Sequence, residues 1–178
     1  VNTGKGHADL SQEYSEIPEE MKAAAKVLGV ELLHETTLDQ LLAHVNEITD
    51  DRAVLRAIHF FEETARVERA ADAIGEEDYT EFLKLMDESG RSSWELLQNC
   101  YSLQNCHEQK ISLMLALTQL FLNKIGGGIC RVHGGGFAGV IATIVPETEM
   151  ENYVAYISQY VGKENVYPMD IRAVGAAH

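Results

Sequence analysis

Three consecutive glycines, Gly126-Gly127-Gly128, divide the chain into two kinds of sequence, with apolar residues at helical spacing before them and short β-branched runs after them. Ile129 to Val132 and Val140 to Val145 have the composition of strands. The segment between them, His133-Gly134-Gly135-Gly136-Phe137-Ala138-Gly139, is glycine-rich, so the pattern predicts a strand, a tight turn and a second strand. Pro146 then closes the strand. Met150, Val154, Ile157 and Val161 lie on one helical face ending at Gly162, and Val166 to Ile171 reads as a third strand.

Upstream, residues 1–125 are mainly helical. Val1-Asn2-Thr3-Gly4 reads as a piece of strand running into a glycine turn. Pro18 suits a first helical position, with Glu19 and Glu20 in the first turn and Gly29 as the stop. Thr37 and Gln40 form a capping-box pair before Leu38, Leu41 and Leu42. Asp50 or Asp51 can cap a longer helix with Val54, Ile58, Phe61 and Ala65 on one face, and Tyr79, Phe82, Leu83 and Met86 repeat the spacing. Ile111 to Leu122 is apolar on nearly every side, as a central buried helix would be, and Trp94 reads as a core anchor. The fold class is therefore α+β, one unit in which 1–125 is mainly helical and 126–178 runs β-turn-β-α-β. The strands at 129–132, 140–145 and 166–171 are expected to share one small antiparallel sheet, covered on one face by the 111–122 and 149–161 helices.

Composition narrows the function classes. Hydrophobic residues at 46% and charged residues at 24% over 178 residues suit an ordinary folded domain. Against 28 acidic side chains stand 14 basic ones, a formal charge of -14 that repels a phosphate backbone, so nucleic acid is not an expected partner. The most apolar window is broken by Ser112, Thr118 and Gln119 and is shorter than the roughly 20 residues of a spanning helix, so no membrane is expected. Cys100, Cys106 and Cys130, an odd number without paired short spacings, suit the reduced thiols of a cytoplasmic protein and not a zinc site. The chain opens on Val1 with no initiator Met and no signal-peptide pattern, as a fragment of something longer would.

Three motif readings of the glycine segment fail on context. Gly134, Gly136 and Gly139 satisfy G-x-G-x-x-G, but a dinucleotide fingerprint opens a helix, and Val140 to Val145 continues as strand. A protein-kinase glycine loop needs a lysine on the next strand, and none occurs before Lys163. The His-Gly-Gly-Gly of an esterase needs a G-x-S-x-G elbow, which is absent. Physically, the glycines remove side chains so that the backbone can approach a phosphate, a sugar or another backbone. A tight hairpin alone would use them equally well.

Taken in order, Asn2-Thr3-Gly4-Lys5-Gly6-His7, Ser11-Gln12-Glu13-Tyr14, Arg56-Ala57-Ile58-His59, Leu85-Met86-Asp87-Glu88-Ser89 and Arg131 to Gly139 resemble the C-terminal part of the galactokinases, members of the GHMP small-molecule kinases. The glycine segment resembles that superfamily's third motif, commonly M-T-G-G-G-F-G-G. His133 stands where Thr is usual, Ala138 replaces a Gly, and Gly90 follows Ser89 where His is frequent. The resemblance implies a GHMP C-terminal domain, ferredoxin-like, with helices packed on a small antiparallel sheet. It also implies a full-length enzyme that uses ATP and Mg to phosphorylate galactose at its anomeric hydroxyl.

In that resemblance Tyr14 matches a sugar-contacting tyrosine, and Lys5 a basic position beside the active site. Gly134, Gly135, Gly136 and Phe137 would shape the pocket floor and brace a phosphate loop. The family's phosphate loop, P-x-G-x-G-L-S-S-S-A in type, and its catalytic Arg and Asp would lie upstream of Val1, in an N-terminal domain on which this chain packs. The 178 residues alone are then expected to be inactive. A mevalonate-type or homoserine-type kinase is the nearest enzyme alternative, which S-x-E-Y disfavours, and a non-catalytic sugar-sensing or regulatory module stays open. No metal ligands are assigned: His7 with Asp9 lacks a third ligand by spacing, and a capping role suits Asp9. His59 and His107 are single histidines in helical context, and Glu62 with Arg66 and Glu149 with Tyr153 read as i, i+4 pairs on solvated faces.

Overall fold

The computed structural model of the chain describes residues 1–4 and 10–170. Six helices, α1 (Ser11–Val27), α2 (Leu38–Ala43), α3 (Asp51–Gly75), α4 (Tyr79–Ser92), α5 (Lys110–Ile125) and α6 (Met150–Val161), surround a hairpin of β1 (Ile129–His133) and β2 (Val140–Ile144). The two strands are antiparallel, in a register that sets Ile129 against Ile144 and His133 against Val140. The α+β class holds. Several helix starts follow from local chemistry: Thr37 Oγ1 accepts from the Gln40 N–H, and the Asp50 carboxylate accepts from the Arg52 and Ala53 N–H groups.

The third strand is a correction. Residues 166–170 form no strand, because Pro168 has no N–H to give a ladder; Ile171, where that expectation ended, lies outside the described residues. The free edge of β2 is taken instead by the opposite end of the chain. The Val1 ammonium donates to the Ile141 carbonyl, the Ile141 N–H donates to the Val1 carbonyl, and the Thr3 N–H reaches the Gly139 carbonyl at 2.8 Å. Asn2 bridges Val140, so the strand piece read at the start of the chain is the hairpin's neighbour.

Helix α1 begins seven residues before Pro18, which sits inside it and not at its first turn. Two apolar clusters result. One gathers Ala24, Leu33, Leu41, Ile48 and Ala57 between α1, α2 and α3; the other gathers Ile111, Met114, Leu122, Val132, Ile141, Tyr153 and Ile157 between α5, α6 and the hairpin. Burying each large aliphatic contributes about 1.5–3 kcal/mol. Helix α5 buries one face only, leaving Leu113 and Leu120 exposed, and Trp94 is an exposed residue and not a core anchor. On α4 the most buried apolar side chain is Leu85, whereas Tyr79 is exposed. Among the described residues no helix is long and apolar enough to cross a membrane.

The face that α3 turns inward is partly polar. Arg56 is 1% exposed, its Nη1 donating to Glu20 on α1 at 2.8 Å and its Nε to the Leu97 carbonyl at 3.2 Å. His59 bonds Ser92 at 2.8 Å, and burial holds its imidazole below the usual 6.5, so the neutral form prevails. Arg66 is buried and pairs with Glu63 and Glu88, not with Glu62 on a solvated face. Ser89 donates to Glu63 and accepts from Arg131 Nη1 at 2.8 Å. Tyr153, too, is buried, with its hydroxyl between Thr118 at 2.9 Å and Thr143 at 3.0 Å. Charged and hydroxylic groups thus tie α1, α3, α4 and β1 into one frame.

Gly90 completes that frame. A Cβ there would lie 2.8 Å from Arg131 Cβ and 3.2 Å from the Cys130 carbonyl, so only glycine lets α4 lie this close on β1.

Candidate functional site around the glycine loop

The loop between β1 and β2 is held from two sides. On one side is Tyr14, on the first turn of α1. Its hydroxyl donates to the Gly136 carbonyl at 2.8 Å, and its ring meets Phe137 edge-on, with centroids 5.4 Å apart and planes at 88°. A Cβ at Gly135 would stand 2.5 Å from Tyr14 Cε1, so this glycine is what allows the ring to lie against the loop. Burial, and next the Glu13 charge, hold the phenol above its usual 10, which keeps it protonated and donating.

Asn99 stands on the other side. Its backbone carbonyl accepts from the Phe137 N–H at 2.5 Å, and its side-chain amide donates to the Gly135 carbonyl at 3.1 Å. Gly136, at φ +84°, has no room for a Cβ, which would run into the Asn99 carbonyl and amide. Thr3 secures the loop's end, its N–H and its hydroxyl both reaching the Gly139 carbonyl at 2.8 Å. Phe137 and Ala138 are buried, while His133, Gly134 and Gly135 face outward beside a half-buried Tyr14. The exposed rim is therefore bare backbone next to a phenol.

Glu13 adds a buried charge beneath Tyr14. One carboxylate oxygen accepts from the Ser102 hydroxyl, and the other has no hydrogen-bond partner among the described residues. Of the residues singled out from sequence, Tyr14, Gly134, Gly135, Gly136 and Phe137 come together here. Lys5, and His7 with Asp9, lie outside the described residues. His59 belongs to the helical frame and His107 is exposed. Among the described residues no three His, Cys, Asp or Glu side chains converge. Asn99, Ser102, Glu13 and Thr3 were missed as site residues. Glu13 and Thr3 lay within motif segments, whereas Asn99 follows a helical stretch with nothing in its spacing to mark it.

A cleft of about 300 Å³ between α1 and α3 is lined by Ile17, Met21, Phe60 and Leu97 among others, and by none of the loop residues 133–139.

No protein-family model matches the chain. Its sequence is 30% identical over 153 residues to a galactokinase of Mannheimia succiniciproducens, covering 85% of this chain and 37% of that protein. A galactokinase of Actinobacillus pleuropneumoniae is 27% identical over 169 residues, covering 92% of this chain and 41% of the relative. One from Haemophilus influenzae is 29% identical over 157 residues, covering 85% and 38%. In structure, the chain matches a Lactococcus lactis galactokinase, solved with galactose, with a TM-score of 0.72 at 23% identity, over 94% of this chain and 42% of that one. By fold this is an α+β chain of the kind found within a sugar kinase. By sequence it is a relative of the galactokinases and spans about two fifths of the length of those it matches.

Proposed function

We propose that this chain is the C-terminal part of an ATP-dependent galactokinase, which passes the γ-phosphoryl of ATP to the anomeric hydroxyl of galactose and releases galactose 1-phosphate. The observation that carries this reading is the seating of Tyr14 on the glycine loop. Two segments far apart in sequence, each matching a galactokinase motif, meet through a hydrogen bond, a ring contact and a missing Cβ.

Phosphoryl transfer through a loose transition state asks a protein for placement and electrostatics more than for covalent chemistry. Tyr14 would contact the sugar, its phenol offering a hydrogen bond and an apolar face suited to a hexose. The outward Gly134, where a Cβ would meet nothing within 4 Å, leaves room for a phosphate loop supplied from elsewhere in the protein, and Lys5 would meet nucleotide phosphates. ATP and its Mg bind mainly through that other part, on which this chain packs, in a cytoplasmic enzyme.

The test is to incubate the full-length protein with galactose and ATP and follow galactose 1-phosphate by phosphorus NMR. Formation of that product, with a clear preference over mevalonate and homoserine, is the expected result. Sugar binding without turnover would point to a sensing module, and the absence of both would remove galactose from the assignment.

A further inference from the structure

Two of the three non-glycine residues with left-handed backbone among the described residues adjoin Asn99, one preceding it in the chain and the other bonded to its carbonyl. They are Gln98 at φ +58° and Phe137 at φ +56°, the third being Glu77. For a bulky residue such as Phe this conformation is strained, and it persists only where its surroundings over-determine it. Here the residue that does so is Asn99. It follows a π-type turn, Ser93–Leu97, and is 3% exposed. Through its own carbonyl it fixes the Phe137 N–H, and through its amide it fixes the Gly135 carbonyl. The peptide units on both sides of Gly136 are thereby held by one residue.

The amide has a defined orientation. On the side away from the loop, the buried Cys100 thiol lies 4.0 Å from Asn99 Oδ1 and acts as its weak donor. Burial pushes that thiol up to about 12, so it keeps its proton at neutral pH. With Oδ1 facing a donor, Nδ2 is left to donate to Gly135. Asn99 is itself tied to α1, because Arg56 bonds both Glu20 and the Leu97 carbonyl two residues upstream.

We infer that Asn99 is a positioning residue: it locks the glycine loop so that Phe137 supports the Tyr14 ring and Tyr14 is seated where it meets the sugar. This rests on the galactose reading of Tyr14 and goes beyond it, since Asn99, 3% exposed, acts through the loop it holds. Removing the amide frees the Gly135 carbonyl and leaves Phe137 held by the Asn99 backbone carbonyl alone, which loosens the seat of Tyr14 without altering it.

The test uses the full-length protein, its Asn99→Ala and its Asn99→Asp variants, with hydrogen exchange across residues 134–140, melting temperature and steady-state kinetics on galactose and ATP. Asn99→Asp keeps the shape but turns an acceptor toward the Gly135 carbonyl, until acid protonates it and restores a donor. In both variants the loop should exchange faster at neutral pH. In both, galactose kcat/KM per folded molecule should fall by about tenfold or more, with galactose KM moving more than ATP KM. For Asn99→Asp the loss relative to wild type should shrink as pH falls toward 5, a profile that Asn99→Ala does not share.

Unchanged loop exchange in both variants overturns the lock. Faster exchange with unchanged kcat/KM per folded molecule overturns the positioning role. If wild type phosphorylates no galactose, the galactose assignment fails and the role toward the sugar with it, while the exchange measurement still decides whether Asn99 holds the loop.

Discussion

Gly135 lies at the point where two requirements meet, a turn between strands and the close approach of an aromatic ring. The glycine-rich pattern suggests close approach of a phosphate, a sugar or another backbone here. Gly135 is absent from the positive-φ glycines, and what its Cβ meets is the Tyr14 ring. Gly135→Val should therefore displace Tyr14, lowering kcat/KM of folded enzyme by far more than the melting temperature suggests. Single-turnover rates and melting curves on the same variant check it. A destabilised enzyme that is fully active per folded molecule would make the glycine architectural.

The thiols give a second residue-scale prediction. Cys100 and Cys130 are buried and pushed up to about 12 by burial, whereas Cys106 is exposed, and all three are free. Because the thiolate is the nucleophile, a thiol reagent at neutral pH should modify Cys106 in the native protein and reach the other two only on unfolding. Mass-mapped labelling reads the outcome; rapid modification of Cys130 in the native state would contradict its burial.

Among the elements, the α4–β1 contact is a direct test of packing. Gly90→Ala puts a methyl 2.8 Å from Arg131 Cβ and should cost about 1–3 kcal/mol, read as a lower denaturation midpoint. A neutral effect would show that α4 can move away from the strand. In the same frame, His59 is held neutral by burial, so the unfolded chain binds its proton first as pH falls below 6.5. Stability should accordingly be full above that pH and decline below it, and His59→Gln should flatten that part of the melting-temperature profile.

Elements of this kind were unevenly legible in the sequence. The Thr37 and Asp50 caps, the α1, α5 and α6 ends near Gly29, Gly126 and Gly162, and the hairpin follow from local chemistry, and all were legible. The inward faces of α3 and α4 were not, because Arg56, His59, Arg66 and Ser89 are polar residues buried only by partners on other helices, which no periodicity reveals. The third strand failed for a related reason: β-branched composition at Val166 is local, while the choice of which segment fills the β2 edge belongs to the tertiary fold.

At the scale of the whole molecule, a helical frame with a polar interior holds a short hairpin, and the loop of that hairpin is fastened by Tyr14, Asn99 and Thr3, which come from widely separated parts of the chain. Glycines and the S-x-E-Y segment announced half of that arrangement in the sequence; the Asn99 half is visible only in three dimensions. The most direct test of the galactose assignment is the kinetics of Tyr14→Ala in the full-length enzyme, with both substrates varied. A galactose KM that rises well beyond any change in ATP KM is predicted, since on the proposed reading the substitution removes a sugar contact and no phosphate contact. Equal changes in both constants would contradict it and return Tyr14 to a purely structural place beside the loop.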